Sequence, residues 1–177
     1  MSPRVALFRG INVGGHNRVP MAELRDVFVS LGYDEVTSII QSGNVCFDHD
    51  GESDEVVSDI RAAVAARFAV DVPVLLRDLV TIERALVAHP FDTSAVEPKL
   101  HHVLFLADPP PADATDRIGD HEPSSHYAVI DSQIHVCYPQ GSARATLDVA
   151  VVDRALATTA TARNLPTVEK IAAALRG

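Results

Sequence analysis

Apolar residues in this chain recur at two spacings, one typical of β-strands and the other of α-helices. A short apolar run at residues 4–8 is of the kind that lies at the centre of a sheet. Further along, apolar side chains repeat at i, i+3, i+4 and i+7 on one helical face, at Leu24, Val27, Phe28 and Leu31. Pro20 suits the first turn of this helix, and Gly32 suits its C-terminal cap.

The first half of the chain predicts the element order βαββαβ, which is the ferredoxin-like pattern. The predicted strands cover residues 4–8, 36–40, 45–47 and 72–76. A second helix begins at Ser53 and has its apolar face at Val56, Val57, Ile60, Val64 and Phe68. Pro73 lacks an N–H group, so the fourth strand should lie at a sheet edge.

The second half repeats this order in outline. Strands are predicted at residues 101–107, 127–130 and 134–138, a short helix follows the prolines at 109–111, and the last two helices lie near 145–156 and 167–175. We therefore predict an α+β protein of two related ferredoxin-like halves with extra C-terminal helices. The predicted domains are residues 1–91, a polar linker at 92–99, and residues 100–177.

The glycine-rich loop, residues 9–18, combines glycine, arginine, asparagine and histidine between the first strand and the first helix. This composition is more typical of a binding loop than of a plain connection. Gly14 and Gly15 tolerate positive φ, so that neighbouring backbone N–H groups can face one point, and the following helix N-terminus adds partial positive charge. We interpret the loop as a binding loop for an anionic group.

The predicted topology brings a second segment to this loop. The first two strands of a βαββαβ unit run parallel, so the loop after the first strand and the turn at residues 41–44 lie at the same end of the sheet. The predicted ligand-binding residues are Arg9, Asn12, Gly14, Gly15, His16, Asn17, Arg18, Gln41, Ser42, Gly43 and Asn44. Arg9 and Arg18 would supply charge-assisted hydrogen bonds. The alternative is that Arg9 and Asn12 only tie the chain together through backbone carbonyls.

Charge narrows the choice of ligand. The net charge of −9 argues against a broad nucleic-acid surface. Residues 1–25, however, contain four arginines against Glu23 alone, a local balance of +3 that fits a small basic site. No apolar run approaches the roughly 18–20 residues of a membrane helix, and the N-terminus has no leader pattern, so we expect a cytoplasmic protein without a membrane partner. Cys46 and Cys137 are expected to be buried free thiols.

Other kinds of site fit the sequence less well. The helix does not open at Gly15 and no Gly-Lys-Ser/Thr follows, which excludes the Rossmann fingerprint and the P-loop. An RNA-recognition strand would need aromatic residues where Ser42 and Asn44 stand. No histidine or cysteine has a metal-ligand spacing, so no metal site is predicted. A nucleophilic Ser42 with His16 as its base is an alternative to an ordinary turn serine.

Several motifs resemble one known family. They are Leu-Phe-Arg-Gly-Ile-Asn-Val-Gly-Gly at residues 7–15, Met-Ala-Glu-Leu-Arg at 21–25, Gln-Ser-Gly-Asn-Val at 41–45, His-Pro-Phe at 89–91 and Thr-Ala-Arg-Asn at 161–164. Over nearly the whole chain the sequence is similar to the bacterial domain-of-unknown-function 1697 family. The resemblance implies an α+β fold of two related ferredoxin-like halves, and it implies no agreed activity.

The chain departs from that family's pattern at two places. The family usually has Arg-Ser-Lys-Leu where this chain has Arg-Ala-Thr-Leu at residues 144–147, and Trp-Asn where this chain has Leu165-Pro166. The second half is therefore left with Arg144, Arg163 and Asn164 as its possible contribution to a site.

These observations predict a protein that binds a small phosphorylated or carboxylated molecule at the glycine-rich loop. A nucleic-acid-binding module is one alternative, and a protein-interaction scaffold without catalysis is another. No motif identifies a catalytic residue, a reaction or a cofactor.

Overall fold

The computed structural model describes residues 2–177, with Arg144 described for its backbone only. Its contacts divide the chain into two compact units: unit 1 contains the chain up to Glu83 together with Lys170–Gly177, and unit 2 contains Arg84–Glu169. This grouping differs from the predicted domains, which place the boundary at residues 92–99 and the whole C-terminus in the second half. An ion pair of 2.8 Å between Arg176 Nε and Glu83 Oε1 is one contact that joins the C-terminus to unit 1.

Unit 1 contains a four-stranded antiparallel sheet and two helices in the order βαββαβ. The elements are β1 (Pro3–Phe8), α1 (Met21–Ser30), β2 (Asp34–Ser38), β3 (Asn44–Asp48), α2 (Ser53–Phe68) and β4 (Val74–Asp78). The strand order is β2-β3-β1-β4, so β4 lies at an edge, as Pro73 predicts. Because β1 and β2 both run antiparallel to β3, they are parallel to each other, and the segments that follow them leave the same end of the sheet.

The core of unit 1 lies between this sheet and its helices. Of the predicted apolar face, Leu24, Val27 and Phe28 are buried on α1, and Leu31, the C-cap residue, is partly buried. Phe28 makes edge contacts with Phe8 and Phe47, whose ring centroids lie 6.2 and 5.1 Å away. Burial of large aromatic side chains is a major source of core stability, so this cluster fixes α1 on the sheet.

Unit 2 repeats the same element order. A helix, α3 (Leu79–Val87), connects β4 to it, and its elements are β5 (His101–Leu106), α4 (Ala114–Ile118), β6 (His126–Ile130), β7 (Gln133–Cys137), α5 (Val149–Leu156) and β8 (Ala160–Asn164). The last helix, α6 (Leu165–Arg176), begins within the residues of unit 2 and ends within those of unit 1. The strand order β6-β7-β5-β8 is equivalent to that of unit 1. Within residues 2–177, two four-stranded antiparallel sheets and six α-helices confirm the predicted α+β class.

Several elements differ from the sequence predictions, and three of the differences have a clear physical reason. The second strand ends at Ser38 rather than residue 40, because Ile40 has a φ of 52° and leaves the extended conformation. Strand β8 is absent from the predictions because Ala-Thr-Ala-Arg-Asn contains no apolar run. The last helix begins at Leu165, two residues early, since Pro166 is tolerated in a first helical turn.

Two further expectations concern thiols and membranes. Cys46 and Cys137 are free and buried, as predicted. In residues 2–177, no helix combines the length and apolar character that crossing a bilayer requires.

Candidate functional site

The glycine-rich loop folds into a small hairpin. The N–H of His16 donates to the Val13 carbonyl at 3.1 Å, and the N–H of Asn12 donates to the Asn17 carbonyl at 3.1 Å. The two residues at the tip, Gly14 and Gly15, have φ values of 60° and 80°. Two successive positive φ values are the requirement of a type I′ turn, which explains both glycines by the turn itself. The presence of these two glycines is therefore no evidence for the predicted anion site of converging backbone N–H groups.

Asn12 connects the hairpin to the 41–44 turn. Its Nδ2 donates to the carbonyls of Val19, at 2.8 Å, and Gln41, at 2.9 Å. Its Oδ1 accepts from the Val19 N–H at 2.8 Å. Asn12 itself has a φ of 55°, a conformation that asparagine adopts more readily than most residues. The side-chain amide of Asn12 is therefore bonded to backbone groups. This agrees with the alternative that Asn12 ties the chain together rather than binding a ligand directly.

Gly43 brings the two segments into direct contact. Its carbonyl accepts a hydrogen bond of 2.8 Å from the Phe8 N–H. A Cβ atom at Gly43 would lie 2.7 Å from Ile11 Cγ1 and Cδ1 and 2.8 Å from Phe8 Cβ. The structure therefore brings the loop after β1 and the turn after β2 together, across about thirty residues of sequence.

Three of the polar side chains from the predicted site hold the backbone in place. Besides Asn12, Asn17 donates from Nδ2 to the Gly10 carbonyl at 3.0 Å. Asn44 is fully buried, and its Nδ2 donates to the Ile39 carbonyl at 2.9 Å and to Ser42 Oγ at 3.3 Å. Ser42 is thus bonded within its own turn, and no hydrogen bond to His16 is present among the described residues.

The remaining predicted residues of unit 1 lie at the surface. Gly14, Gly15, His16, Arg18 and Gln41 are exposed, and Arg9 is half-buried, with its backbone N–H bonded to the Pro73 carbonyl at 3.0 Å. A shallow cavity of about 420 Å³ is lined by Asn12, Gly15, Arg18, Val19, Pro20 and Gln41. The cavity therefore combines residues from both converging segments.

Arg18 supplies the positive charge at this cavity. Across residues 2–177, its guanidinium forms no hydrogen bond or ion pair with another described group. By contrast, Arg4 donates to the Gly51 carbonyl at 2.8 Å and Arg25 donates to Ser38 Oγ at 2.7 Å. Arg18 is thus an exposed cation whose hydrogen-bonding groups face solvent.

The start of α1 adds to this positive potential. Pro20 occupies the N-cap position, and no side chain caps the N–H groups of the first turn. These N–H groups carry the positive end of the helix dipole. The acid of the first turn, Glu23, forms an exposed ion pair with Arg67 of α2, which offsets its charge near the cavity.

The predicted residues of the second half lie in unit 2. Arg163 is buried, and its Nη1 donates to Thr161 Oγ1 at 2.9 Å and to the Ala162 carbonyl at 2.8 Å. Burial lowers the pKa of Arg163 to about 10. Asn164 Oδ1 accepts from the N–H and hydroxyl of Thr167, at 3.0 and 2.6 Å, and so caps the start of α6. The side chain of Arg144 lies outside the described residues, and a contribution from these residues to the site stays a prediction.

Sequence analysis missed a chain of three histidines in unit 2. His89 Nδ1 lies 3.1 Å from His135 Nδ1, and His89 Nε2 lies 2.9 Å from His101 Nδ1. His101 Nε2 donates to the Val96 carbonyl at 3.2 Å, because a carbonyl can only accept. In the tautomer of His101 that carries its proton on Nε2 alone, Nδ1 accepts from His89 Nε2, and His89 Nδ1 then accepts from His135 Nδ1.

Burial favours the neutral state of His89 and His135. Burial, followed by the neighbouring imidazoles, lowers the pKa of His89 to about 4, and burial lowers that of His135 to about 4. His135 Nε2 is buried without a hydrogen-bond partner in the described part of the chain. His89 uses a different ring nitrogen for each neighbour, so the three rings do not converge on one point. Accordingly, no group of three or more His, Cys, Asp or Glu residues in the described chain is arranged to hold a metal ion.

Comparison with known proteins shows the family. The chain belongs to the family described as "Protein of unknown function (DUF1697)", whose sequence profile matches residues 1–135. The structure of the conserved bacterial protein SP0830 from Streptococcus pneumoniae is similar, with a TM-score of 0.72, 23% identity and 98% of each chain covered. At this identity the similarity shows the fold alone. No curated protein matches the chain.

Proposed function

We propose that the protein binds a small anionic molecule, phosphorylated or carboxylated, in the cavity between the glycine-rich loop and the 41–44 turn. The observation that carries the proposal is Arg18, an exposed guanidinium without a carboxylate partner among the described residues, on the wall of that cavity. A guanidinium binds phosphate and carboxylate oxygens through paired, charge-assisted hydrogen bonds. The proposal is one of binding, and it assigns no reaction.

The other cavity residues have separate roles in this proposal. Gly15 contributes a backbone N–H and Gln41 a side-chain amide, while the uncapped first turn of α1 contributes positive potential. Arg9, at the base of the loop, adds a second cationic group. Asn12 acts as a positioning residue, because its three bonds hold the hairpin that carries Arg18 against the 41–44 turn.

A small anion fits this surface better than a nucleic acid does. Binding of single-stranded nucleic acid commonly uses exposed aromatic rings on which bases stack. In unit 1, however, Phe8, Phe28, Tyr33 and Phe47 are all buried, and Phe68 is partly buried with the Arg67 guanidinium over its ring. The net charge of −9 would also repel an extended polyanion outside the local basic site. As part of the same proposal, the two buried free thiols support a reducing, cytoplasmic location.

A thermal-shift screen tests this function. Inorganic phosphate, a sugar phosphate, a nucleoside monophosphate and acetate should be compared at matched ionic strength. A ligand at a hundred times its Kd stabilises the folded protein by about 2.7 kcal/mol, which is readily measured. The expected result is stabilisation by at least one of these anions in the wild type and its loss in Arg18→Gln.

The matched control is Arg84→Gln, which removes an exposed arginine from another part of the chain. This variant should respond to the ligand as the wild type does. Equal responses in Arg18→Gln and the wild type would remove Arg18 from the site. Stabilisation by an oligonucleotide alone, with a steep decrease at higher salt, would instead favour the nucleic-acid alternative.

A further inference from the structure

Two exposed apolar side chains flank the proposed anion site. Val13 is 59% exposed in the hairpin, and Ile40 is 44% exposed at the edge of the 41–44 turn. Each directly adjoins a residue that lines the cavity, Asn12 in the first case and Gln41 in the second. The hydrogen bond between Asn12 Nδ2 and the Gln41 carbonyl joins these two neighbours. Val13 and Ile40 are therefore the sequence neighbours of two cavity-lining residues that contact each other.

The conformation of Ile40 is unfavourable for this residue type. Its φ is 52°, in the left-handed region, where a β-branched side chain clashes with its own backbone. Burial does not compensate for this strain, because a large part of the side chain remains in water. Glycine or asparagine would occupy this position at lower cost. A strained residue at the rim of a binding cavity points to a role in ligand contact.

Exposure of Val13 supports the same interpretation. The remaining large apolar side chains with comparable exposure in the described chain lie on helices, with Val29 on α1 and Val80 and Val87 on α3. Only Val13 and Ile40 among these described residues lie on the two segments that form the cavity. Single exposed apolar residues are common, but these two lie on the same two segments as the unpaired cation Arg18, a combination that an amphiphilic ligand would match.

We infer that the ligand of this site is an amphiphilic anion, with a phosphate or carboxylate head at Arg18 and an apolar tail against Val13 and Ile40. This inference rests on the proposed function and specifies its ligand class. The charged head matches the guanidinium. Contact between the tail and these side chains removes apolar surface of both the ligand and the protein from water, which adds affinity without a further polar group.

Isothermal titration calorimetry with two matched ligands tests the inference. Inorganic phosphate measures binding of the head alone, and n-octyl phosphate, below its micellar concentration, measures head and tail together. Octyltrimethylammonium carries a tail of the same length with the opposite charge. Burial of two or more methylene groups should make n-octyl phosphate bind about tenfold tighter than inorganic phosphate or better. The cationic amphiphile should not bind at this site.

Variants assign the tail contact to residues. In Ile40→Asn and in Val13→Ser, the affinity ratio of n-octyl phosphate to inorganic phosphate should fall toward one. Ile40→Asn also relieves the backbone strain, so a lower ratio in this variant cannot arise from unfolding. Val29→Ser removes an equally exposed valine from α1 and should leave the ratio unchanged.

The outcomes separate this inference from the proposed function. Equal affinities for the two phosphates overturn the amphiphilic class while the anion site stands. Binding of neither phosphate, with no stabilisation by acetate either, removes both. Tighter binding of n-octyl phosphate that is the same in Ile40→Asn, Val13→Ser and Val29→Ser places the tail elsewhere and overturns the inference.

Discussion

Substitution of Gly43 by alanine is the most direct structural test of the convergence of the two segments. The new Cβ would lie 2.7 Å from Ile11 and 2.8 Å from Phe8, both of which are buried and packed. Overpacking of this kind costs about 1–3 kcal/mol. A φ of 79° adds the left-handed penalty for a residue with a Cβ, about 1–2 kcal/mol. We therefore expect a loss of about 2–5 kcal/mol in the free energy of unfolding, measured by urea denaturation.

Gly32→Ala is a matched control that measures the cost of a Cβ atom at positive φ without a steric clash. Gly32 has a φ of 80°, and no atom lies within 4 Å of its virtual Cβ. Its substitution should therefore cost only the left-handed penalty, about 1–2 kcal/mol. In a double-mutant cycle, Ile11→Ala should recover part of the loss in Gly43→Ala, because it removes the clashing atoms. Equal losses in the two glycine variants, without coupling to Ile11, would refute the close approach of loop and turn.

Three further changes follow from the same structure. Asn12→Ala leaves the Val19 N–H and carbonyl and the Gln41 carbonyl without these bonds, and should destabilise by about 1–3 kcal/mol in urea unfolding; a loss below about 0.5 kcal/mol would contradict its role. Ile40→Asn should raise the urea midpoint by relieving about 1 kcal/mol of strain, and a lower midpoint would argue against that strain. Because burial lowers the pKa of His135 from 6.5 to about 4, the unfolded chain binds more protons between these values, and this one imidazole should contribute a decrease of about 2 kcal/mol in stability from pH 7 to pH 5. His135→Leu should show a smaller decrease over this range, and an identical pH dependence would contradict the buried neutral imidazole.

The sequence predicts the fold of unit 1 well because the spacing of its apolar residues and the positions of its glycine and proline residues indicate the same elements. The α1 face and the edge strand marked by Pro73 are examples, since both depend on local chemistry. Strand β8 was not predicted, because burial of Thr161 and Arg163 arises from pairing with β5, which no local pattern encodes. Similarly, Ile40 was expected to extend the second strand, and its positive φ is imposed by the turn that follows.

The sequence predicted which segments come together better than it predicted the contacts of their side chains. Topology correctly placed the glycine-rich loop beside the 41–44 turn, because strand order alone determines which loops share an end of the sheet. The roles of individual residues depend on side-chain contacts that spacing does not specify. Asn44 is an example, since its amide is consumed by the turn. The histidine chain of unit 2 was missed because His89, His101 and His135 are distant in sequence and follow no known spacing.

The central claim is that Arg18 and the cavity beside it bind a small anion, and an NMR titration tests it most directly. Amide chemical shifts of uniformly ¹⁵N-labelled protein should be followed as inorganic phosphate is added at constant ionic strength. The predicted result is saturable shifts confined to residues 9–23 and 39–44, with at least tenfold weaker binding in Arg18→Gln. Linear shifts spread over the whole chain, or the same saturation in Arg18→Gln, would contradict the claim.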